Sequence, residues 1–505
     1  MASIGRWSSG AIFSLHPHSL RALIPASVRP VASLVALERA QVVSIPFSRP
    51  ALKPVFSPNL MSSSPDHSRG TQMAEERIRF ADVMAMQATS FADRCTSCGA
   101  CLEACPVFPM TEAAENAGPV QTIDAIIELL KNDRVADEAY DMVLSCSQAC
   151  GHYCKEACPV ELMPSVAFIW AVSKIRTLGK PLAPGSSAFD PEYPLNFKTV
   201  LSALQERPSG DRWITEIPPN PEPVDVVFFG GCTAHGMPHL LSECVAILEA
   251  MGIDFVALDG KDRCCGSGNI VSGNIGGAET TGAGLISDLA RFKPKEVVLY
   301  CLGCQLVVSS ALAMAMEIPF KTTGIIEFLS TNLEKIPLQR IPERRIALHD
   351  SCILGTYPMF GEKARELLEA IPGVSLTELE HNRENSQCCG TIVGALRPPM
   401  GEKMRANILT EGEQAGIDVL ATFCGGCHQS LAPLEDRFAF EIANYISLVA
   451  ESVGARHEDM YKKYAGCGDL ERILSEARSC IAASGLSVDE LKRVLPVYVE
   501  PFRSR

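Results

Sequence analysis

The chain has 505 residues, of which 47% are hydrophobic and 21% charged, a composition typical of a globular protein with about three domains. Its formal net charge of −14 argues against nucleic acid and anionic membrane surfaces as partners. The 21 cysteines, many spaced as CxxC or adjacent pairs, favour metal binding in a reducing compartment over a secreted disulfide framework.

The first 72 residues differ in composition from the rest of the chain. They contain five arginines before residue 50, many serines, and Glu38 as the single acid before Asp66. This pattern is typical of a transit peptide, which would direct the protein to a mitochondrion or plastid. Alternatively, Met61 or Met73 is the true start and the protein is cytoplasmic. In either case we expect 1–72 to be disordered and to lie outside the folded domains.

Residues 73–179 are expected to form a domain that binds two 4Fe-4S clusters. Its first motif is C-x2-C-x2-C-x3-C-P, the ferredoxin pattern in which the fourth cysteine serves the other cluster. The second motif has longer steps, C-x3-C-x3-C-x3-C-P, and whether it holds a full cubane cluster stays open. We predict one cube on Cys95, Cys98, Cys101 and Cys158, and the other on Cys105, Cys146, Cys150 and Cys154. Two zinc sites are the alternative, since thiolates also bind zinc.

The two motifs are separated by a predicted helix with the sequence PVQTIDAIIELLKND. This spacing is too long for a compact bacterial ferredoxin. The unit resembles the α-helical ferredoxin domain of succinate dehydrogenase iron–sulfur subunits and of heterodisulfide reductase. A Pro-rich segment, 180–223, follows and is predicted to be a linker or an irregular wrap.

The next two segments, 224–340 and 341–454, repeat each other. Five cysteines of the first recur in the second at offsets of 120 to 124 residues, which indicates a duplicated domain. The first set is Cys232, Cys264, Cys265, Cys301 and Cys304; the second set is Cys352, Cys388, Cys389, Cys424 and Cys427. The remaining segment, 455–505, is predicted to be a helical tail, with a capping box from Ser487 to Glu490.

Strand-like runs lead directly into these cysteines. VDVVFFGGC ends at Cys232, EVVLYCLGC at Cys304, RRIALHDSC at Cys352 and IDVLATFCGGC at Cys427, with helical stretches between them. Alternating strands and helices predict mostly parallel sheets, whose carboxyl edges place ligands together. The uncharged run 297–316 is therefore predicted to be a buried strand, a ligand turn and a helix, and no transmembrane segment is expected.

The repeated pattern resembles the paired CCG domains of heterodisulfide reductase catalytic subunits. In that family, each complete set of five cysteines holds a noncubane 4Fe-4S cluster, with the vicinal pair bridging irons. The resemblance implies one such cluster on each set here, with Gly266 and Gly390 allowing close approach of the backbone. The expected fold is thus an α-helical ferredoxin domain followed by two tandem α/β cysteine-rich CCG domains with mostly parallel sheets.

This resemblance implies an oxidoreductase in which two cubane clusters pass electrons to two noncubane clusters that reduce or form a disulfide-type substrate. The alternative is an electron-transfer subunit of a flavoprotein dehydrogenase of the glycolate, lactate, glycerol-3-phosphate or succinate/fumarate type. A structural metal scaffold is a third interpretation. The substrate, the direction of electron flow and the identity of the partner stay open.

Other residues give weaker signals about cofactors. GAGLIS at Gly282 lacks the context of a dinucleotide fingerprint, so no flavin or NAD is expected on this chain. A flavoprotein, or a membrane quinone or cytochrome subunit, is the expected redox partner.

Cys244 lies on an apolar helix and is expected to be a core thiol. His349, Asp350 and His428 adjoin the second set and could donate hydrogen bonds there, although packing or capping explains them as well.

Overall fold

A computed structural model describes residues 79–146, 153–182, 197–206, 213–214, 216–260, 262–355 and 358–499. The predicted extension at 1–72 and one predicted ligand, Cys150, lie outside the described residues. The domain boundaries given above stay predictions.

The described part of the predicted ferredoxin region is helical. Its helices are α1 (Phe80–Arg94), α2 (Ala100–Glu103), α3 (Glu112–Asn116), α4 (Gly118–Asn132), α5 (Asp137–Ser145), α6 (Tyr153–Glu156) and α7 (Pro164–Thr177). The predicted helix between the two cysteine motifs is α4. Its Ile123, Ile126 and Leu130 recur every three or four residues and are buried on one face. They pack in one core with residues of α1, α5 and α7, so the two cysteine motifs are held on a shared helical scaffold.

Two four-stranded sheets follow, and both are entirely parallel. The strands are β1 (Val226–Phe229), β2 (Phe255–Leu258), β3 (Glu296–Leu299), β4 (Lys321–Gly324), β5 (Arg344–His349), β6 (Val374–Leu376), β7 (Val419–Thr422) and β8 (Glu441–Asn444). The strand orders are β2-β1-β3-β4 and β6-β5-β7-β8, so the second sheet repeats the first. The predicted duplication and the predicted α/β fold with parallel sheets are confirmed.

Helices connect the strands, as the βαβ pattern requires. The first unit contains α9 (Pro238–Ala250), α10 (Ser267–Val271), α11 (Ile275–Ala290), α12 (Leu302–Leu306) and α13 (Ile325–Thr331). The second contains α14 (Met359–Glu369), α15 (Thr391–Leu396), α16 (Pro398–Ala415), α17 (Gly425–Leu431) and α18 (Tyr445–Ser452). Gly282 lies inside α11, which agrees with the rejection of a dinucleotide fingerprint there.

The two sheets share a hydrophobic core that lies between them. Successive strand residues point to opposite faces of a sheet, so Phe228 enters this shared core while Val227 and Phe229 pack on the outer face. In the second sheet, Ile346 enters the shared core and Ala347 packs outward. The shared core therefore fixes the two CCG units against each other.

The segment predicted as a linker, 180–223, contains a buried helix, and this differs from the expectation. Helix α8 (Phe197–Gln205) places Val200, Leu201 and Leu204 in the shared core because its apolar residues recur on one face. The predicted helical tail contains α19 (Met460–Cys467), α20 (Leu470–Glu476), α21 (Arg478–Ser484) and α22 (Val488–Val499). Its Ile481, Leu491 and other apolar residues join the same core as α8.

The uncharged run 297–316 has the predicted structure. Strand β3 is followed by α12, a π-helical turn (Val307–Ala311) and a 3-10 turn (Leu312–Met314). Within the described ranges, we find no helix whose length and hydropathy would suit a membrane span.

Candidate metal centres

The first five-cysteine site, made of the first predicted set, lies beyond the carboxyl ends of β1 and β3. The Sγ atoms of Cys232 and Cys264 are 3.8 Å apart. The thiol of Cys265 hydrogen-bonds with those of Cys264 and Cys304, and Cys304 contacts Cys301 in turn. The structure thus brings all five predicted cysteines together in one continuous series of sulfur contacts.

The second five-cysteine site repeats this arrangement beyond β5 and β7. The thiol of Cys388 contacts those of Cys352 and Cys389. Cys427 contacts Cys389 and Cys424. The order of contacts matches that of the first site residue by residue, with the vicinal pair in the middle. Vicinal cysteines are therefore what allows one loop to supply two adjacent sulfurs to each site.

Hydrogen bonds with neighbouring thiols lower the pKa of the second member of each vicinal pair. Contacts with the thiols of Cys264 and Cys304 lower the pKa of Cys265 to about 6. The equivalent contacts of Cys388 and Cys427 lower the pKa of Cys389 well below its usual value. Because the thiolate is the form that binds metals, a lowered pKa suits Cys265 and Cys389 to metal binding.

Glycines follow both vicinal pairs, as Gly266 and Gly390, in the left-handed conformation with φ of +90° and +74°. Their N–H groups donate to the Sγ atoms of Cys264 at 3.3 Å and Cys388 at 3.4 Å. A Cβ at Gly266 would lie 2.6 Å from the carbonyl oxygen of Ala278, on α11. These glycines therefore allow the tight turn after each vicinal pair and leave room for a neighbouring helix. Their N–H groups donate hydrogen bonds to the sulfurs.

A different glycine packs directly against the cysteine side chains of the first site. Gly231 has φ of +78°, and a Cβ there would lie 2.9 Å from Cβ of Cys301 and 3.1 Å from Sγ of Cys304. Gly231 was not predicted from the sequence. The glycine directly before Cys232, at the GGC end of the first strand run, could have indicated a close approach of the backbone. The equivalent residue in the second unit is Ser351, whose Oγ lies 3.7 Å from Sγ of Cys427.

The two sites also differ in one neighbouring ring. His349 adjoins Cys389 and Cys427, and the ligand atoms of these three residues lie within 4.8 Å of one another. The equivalent of His349 in the first unit is Phe229. Asp350, in contrast, is structural, since it binds the guanidinium of Arg365 at 2.7 Å and is fully buried. The second site therefore has a polar ring beside its sulfurs and the first does not.

The outer four-cysteine site consists of Cys95, Cys98, Cys101 and Cys158. All four line one small cavity, together with Phe91, Ile123 and Pro164. Burial and the neighbouring Cys154 raise the pKa of Cys101 to about 12. Cys98 is exposed, and Ser97 and Gly99 in the ligand loop have φ of 54° and 79°. The structure thus groups the four residues that the sequence assigned to one cube.

The inner four-cysteine site is the set Cys105, Cys146, Cys150 and Cys154. Burial raises the pKa of Cys154 to about 11, and the neighbouring Cys105 contributes to the rise through charge repulsion. Cys146 is buried at the end of α5, and Cys150 lies outside the described residues. The structure therefore places Cys105 beside Cys154, as the predicted grouping requires.

The inner site lies next to the second five-cysteine site. Cys105 and Cys388 pack against the same hydrophobic cluster, which is centred on Val107, Val393 and Met404. Nearby, the hydroxyl of Tyr153 donates to the carbonyl oxygen of Ser386 at 3.2 Å. Cys105 of the helical domain and Cys388 of the second CCG unit are thus held on the same hydrophobic cluster.

Tyr300 connects the two five-cysteine sites. It precedes Cys301, and its hydroxyl lies 3.5 Å from where Gly425 would carry a Cβ, between Cys424 and Cys427. The hydroxyl is buried and has no hydrogen-bond partner in the described part of the chain. Burial, followed by the influence of Cys244, raises its pKa well above the usual value, so it stays protonated.

The donor sets suit iron–sulfur clusters. Each five-cysteine site brings five thiols together, and Cys264, Cys265 and Cys304 in the first and Cys389 and Cys427 in the second are buried, which suits thiolate ligation of iron. Cys244 is fully buried in the core, as expected, and belongs to none of the sites.

Comparison with known proteins agrees with this arrangement. The family described as Cysteine-rich domain (CCG) matches residues 226–309 and 346–432, and the family described as 4Fe-4S dicluster domain matches residues 91–162. A subunit of the dihydromethanophenazine:CoB–CoM heterodisulfide reductase of Methanosarcina barkeri is 25% identical over 72% of this chain and 94% of its own. The chain thus contains a 4Fe-4S dicluster domain and two cysteine-rich CCG domains and is similar to heterodisulfide reductase subunits.

A second relative of this heterodisulfide reductase-like protein is part of a fumarate reductase. This subunit of the fumarate reductase (CoM/CoB) of Methanothermobacter marburgensis is 24% identical over 66% of this chain and 66% of its own. A crystal structure of a hypothetical protein from Helicobacter pylori aligns with 58% of this chain and 59% of its own. The TM-score is 0.37 and the sequence identity is 11%. Both named relatives are subunits of reductases.

Proposed function

We propose that this protein reduces or forms a disulfide-type substrate at the junction of its two five-cysteine sites. The observation that carries the proposal is the presence of two complete five-cysteine sites, joined through Tyr300 and Gly425. When bound, two cubane and two noncubane 4Fe-4S clusters would supply one-electron transfers. A disulfide requires two electrons, so paired one-electron sites match its chemistry.

The positions of the ligands support an order of electron transfer. Cys98 of the outer four-cysteine site is exposed, which suits electron exchange with a partner protein. Cys154 of the inner site is among the groups that raise the pKa of Cys101, so the outer and inner sites are neighbours. Cys105 packs on the same hydrophobic cluster as Cys388, so we infer that the second five-cysteine site is the first to be reached from the helical domain.

Tyr300 has the properties of a hydrogen-bond donor at the junction. Its hydroxyl is protonated, buried and free of a partner in the described residues. Reduction of a disulfide produces two thiolates, which hydrogen-bond donors stabilise. We infer that Tyr300 donates a hydrogen bond to one sulfur of the substrate and orients it.

Electron paramagnetic resonance tests this proposal directly. The full chain, purified anaerobically and oxidised or half-reduced, should change its spectrum when a thiol or disulfide is added, because substrate sulfur would bind next to the clusters. A Tyr300→Phe variant should keep its iron and show a weaker response. An unchanged spectrum over a series of thiols and disulfides would contradict substrate binding at the junction.

The second candidate function is an electron-transfer subunit of a flavoprotein dehydrogenase. The similarity to a subunit of a fumarate reductase favours it. In that case the five-cysteine sites only conduct electrons, no substrate binds at Tyr300, and the partner carries the flavin. Co-purification of a flavoprotein, with a spectrum insensitive to thiols, would support this candidate over the first.

Partner and compartment follow from the same interpretation. We propose that flavin or nicotinamide, where needed, is bound by a partner flavoprotein or by a membrane quinone or cytochrome subunit. We further propose a reducing compartment, since thiols must stay free to bind iron. Fusion of 1–72 to a fluorescent protein tests the location: an organellar signal indicates a transit peptide, and a cytosolic signal indicates a cytoplasmic protein.

A further inference from the structure

A group of two histidines and an aspartate lies outside the cysteine sites, where three parts of the chain meet. His239 is in the first turn of α9 in the first CCG unit, and His428 is on α17 in the second. Asp459 is the N-cap of α19 in the tail. Their candidate ligand atoms all lie within 4.8 Å of one another. We call this group the His239–His428–Asp459 cluster.

His239 is the residue that the fold alone does not explain. It is only 6% exposed, and neither ring nitrogen has a hydrogen-bond partner in the described residues. Buried polar atoms are nearly always paired with protein, water or an ion. The nearest charged atom is Oδ1 of Asp459, 3.7 Å from Nδ1, too far for a hydrogen bond. The ring is therefore aimed into the cluster without a protein partner.

The other two members are already oriented as ligands. Nδ1 of His428 lies 3.2 Å from Oγ1 of Thr422, which leaves Nε2 facing Oδ2 of Asp459 at 2.6 Å. Oδ1 of Asp459 accepts the N–H of Lys462 at 2.9 Å as a helix cap. Metal-binding histidines and carboxylates are commonly held in this way by a second hydrogen bond.

The surroundings leave room and charge for a cation. A cavity of about 460 Å³ adjoins the cluster and is lined by both His428 and Asp459. The cations nearby are already neutralised, because Lys462 binds Glu435 at 2.6 Å and Arg456 is paired with Glu441 and Glu451. A divalent ion would therefore meet Asp459 without displacing a competing ammonium or guanidinium group.

We propose that the His239–His428–Asp459 cluster binds one Zn²⁺ ion, which ties the first CCG unit, the second CCG unit and the tail together. Two imidazoles and a carboxylate are common zinc ligands, and bonds of about 2.0–2.1 Å would bring the three ligand atoms to similar separations. A water from the adjoining cavity takes the fourth position. Because its ligands are nitrogen and oxygen, this site is chemically distinct from the cysteine sites.

Zinc content and X-ray absorption test the proposal in the full chain, purified anaerobically with its clusters and washed free of loose metal. We expect about one zinc per chain, with a nitrogen and oxygen shell near 2.0–2.1 Å and imidazole outer-shell scattering. His239→Asn and Asp459→Asn should each lose this zinc while the iron content stays unchanged. An unchanged iron content shows that a variant has folded. Two variants are used so that the test still stands if one of them does not fold.

His381→Asn is the matched control, since His381 is a surface histidine paired with Glu411 away from the cluster. This variant should keep its zinc. The proposal is overturned if the preparation binds no zinc after incubation with ZnCl₂, or if both cluster variants retain it. Zinc surrounded by sulfur at about 2.3 Å would also overturn it, because the ion would then occupy a cysteine site.

Discussion

Gly231 is a residue whose backbone lies directly against the side chains of the first five-cysteine site. We predict that Gly231→Ala loses the metal of this site and lowers the iron content by about four per chain, the content of one cluster. The added Cβ would lie 2.9 Å from Cβ of Cys301 and 3.1 Å from Sγ of Cys304, and φ of +78° is unfavourable for alanine. Iron analysis of the anaerobically purified variant measures the effect.

Gly252→Ala separates the steric effect from backbone strain. Gly252 also has a positive φ, +69°, but a Cβ there would have no atom within 4 Å. This control should keep the full iron content. Equal iron in the Gly231→Ala protein and in the wild type would show that the site tolerates the contact.

His349 is expected to tune the second five-cysteine site alone. We predict that His349→Phe, which copies the equivalent residue Phe229, lowers the reduction potential of this site by on the order of tens of mV. The physical reason is the loss of a polar ring beside Cys389, because donors near cluster sulfur stabilise the reduced, more negative state. Redox titration followed by electron paramagnetic resonance measures one shifted potential; two shifted potentials, or none, would be inconsistent with a local role.

At the scale of single elements, the strands that lead into cysteines were predictable and α8 was not. Runs such as VVFF and IALH are mostly apolar and lead into a loop that carries a cysteine. The local pattern therefore predicts that they are strands and that the cysteines lie at the carboxyl edge of the sheet. Helix α8 lies in a segment rich in proline and polar residues, and its Val200 and Leu204 become informative only with the tail packed on them. The average composition of 180–223 predicted a linker, because it does not reveal a short amphipathic helix such as α8.

The capping box that begins α22 was predicted and is confirmed. Ser487 Oγ accepts the N–H of Glu490 at 3.2 Å, and the Glu490 carboxylate accepts the N–H of Ser487 at 2.9 Å. We predict that Ser487→Ala destabilises α22 by about 1 kcal/mol. Amide hydrogen exchange in α22 should then be roughly fivefold faster. Ser475→Ala, an exposed serine within α20, should leave exchange in α22 unchanged, and equal rates in both variants would rule out the cap as a source of stability.

At the scale of the whole molecule, Glu243 joins the two CCG units. It lies on α9, and its carboxyl group contacts Ser447 Oγ at 2.7 Å and the N–H of His457 at 2.9 Å. Burial raises its pKa from 4.5 to about 8. The protonated form therefore stabilises the fold below about pH 4.5, and this stabilisation is lost as the pH rises through about 8.

We predict that Glu243→Gln removes this component of the pH dependence. Glutamine reproduces the protonated acid, because its oxygen can accept from His457 and its amide can donate to Ser447. Melting temperatures measured at pH 5 and pH 8 should fall more in the wild type than in the variant. An equal fall in both proteins would show that Glu243 does not titrate in this range.

The relation between domains could not be predicted from the sequence. The cysteine sets and their grouping were readable because the spacing within each motif, the repeat of the five-cysteine pattern and its resemblance to a known family carry that information. The contacts between units involve residues far apart in the chain, as with Tyr300 and Gly425, or with Cys105 and Cys388 on one shared hydrophobic cluster, and no local pattern records them. The same holds for His239, whose unpaired ring becomes visible only after His428 and Asp459 are brought beside it.

Iron and acid-labile sulfide per chain, measured after strictly anaerobic purification with electron paramagnetic resonance on the same sample, test the central claim most directly. Four clusters of four irons predict roughly 16 irons per chain, with a signal unlike that of reduced cubanes. About eight irons, only ferredoxin-type signals, and zinc bound to sulfur would contradict the account, because the five-cysteine sites would then hold no iron–sulfur clusters.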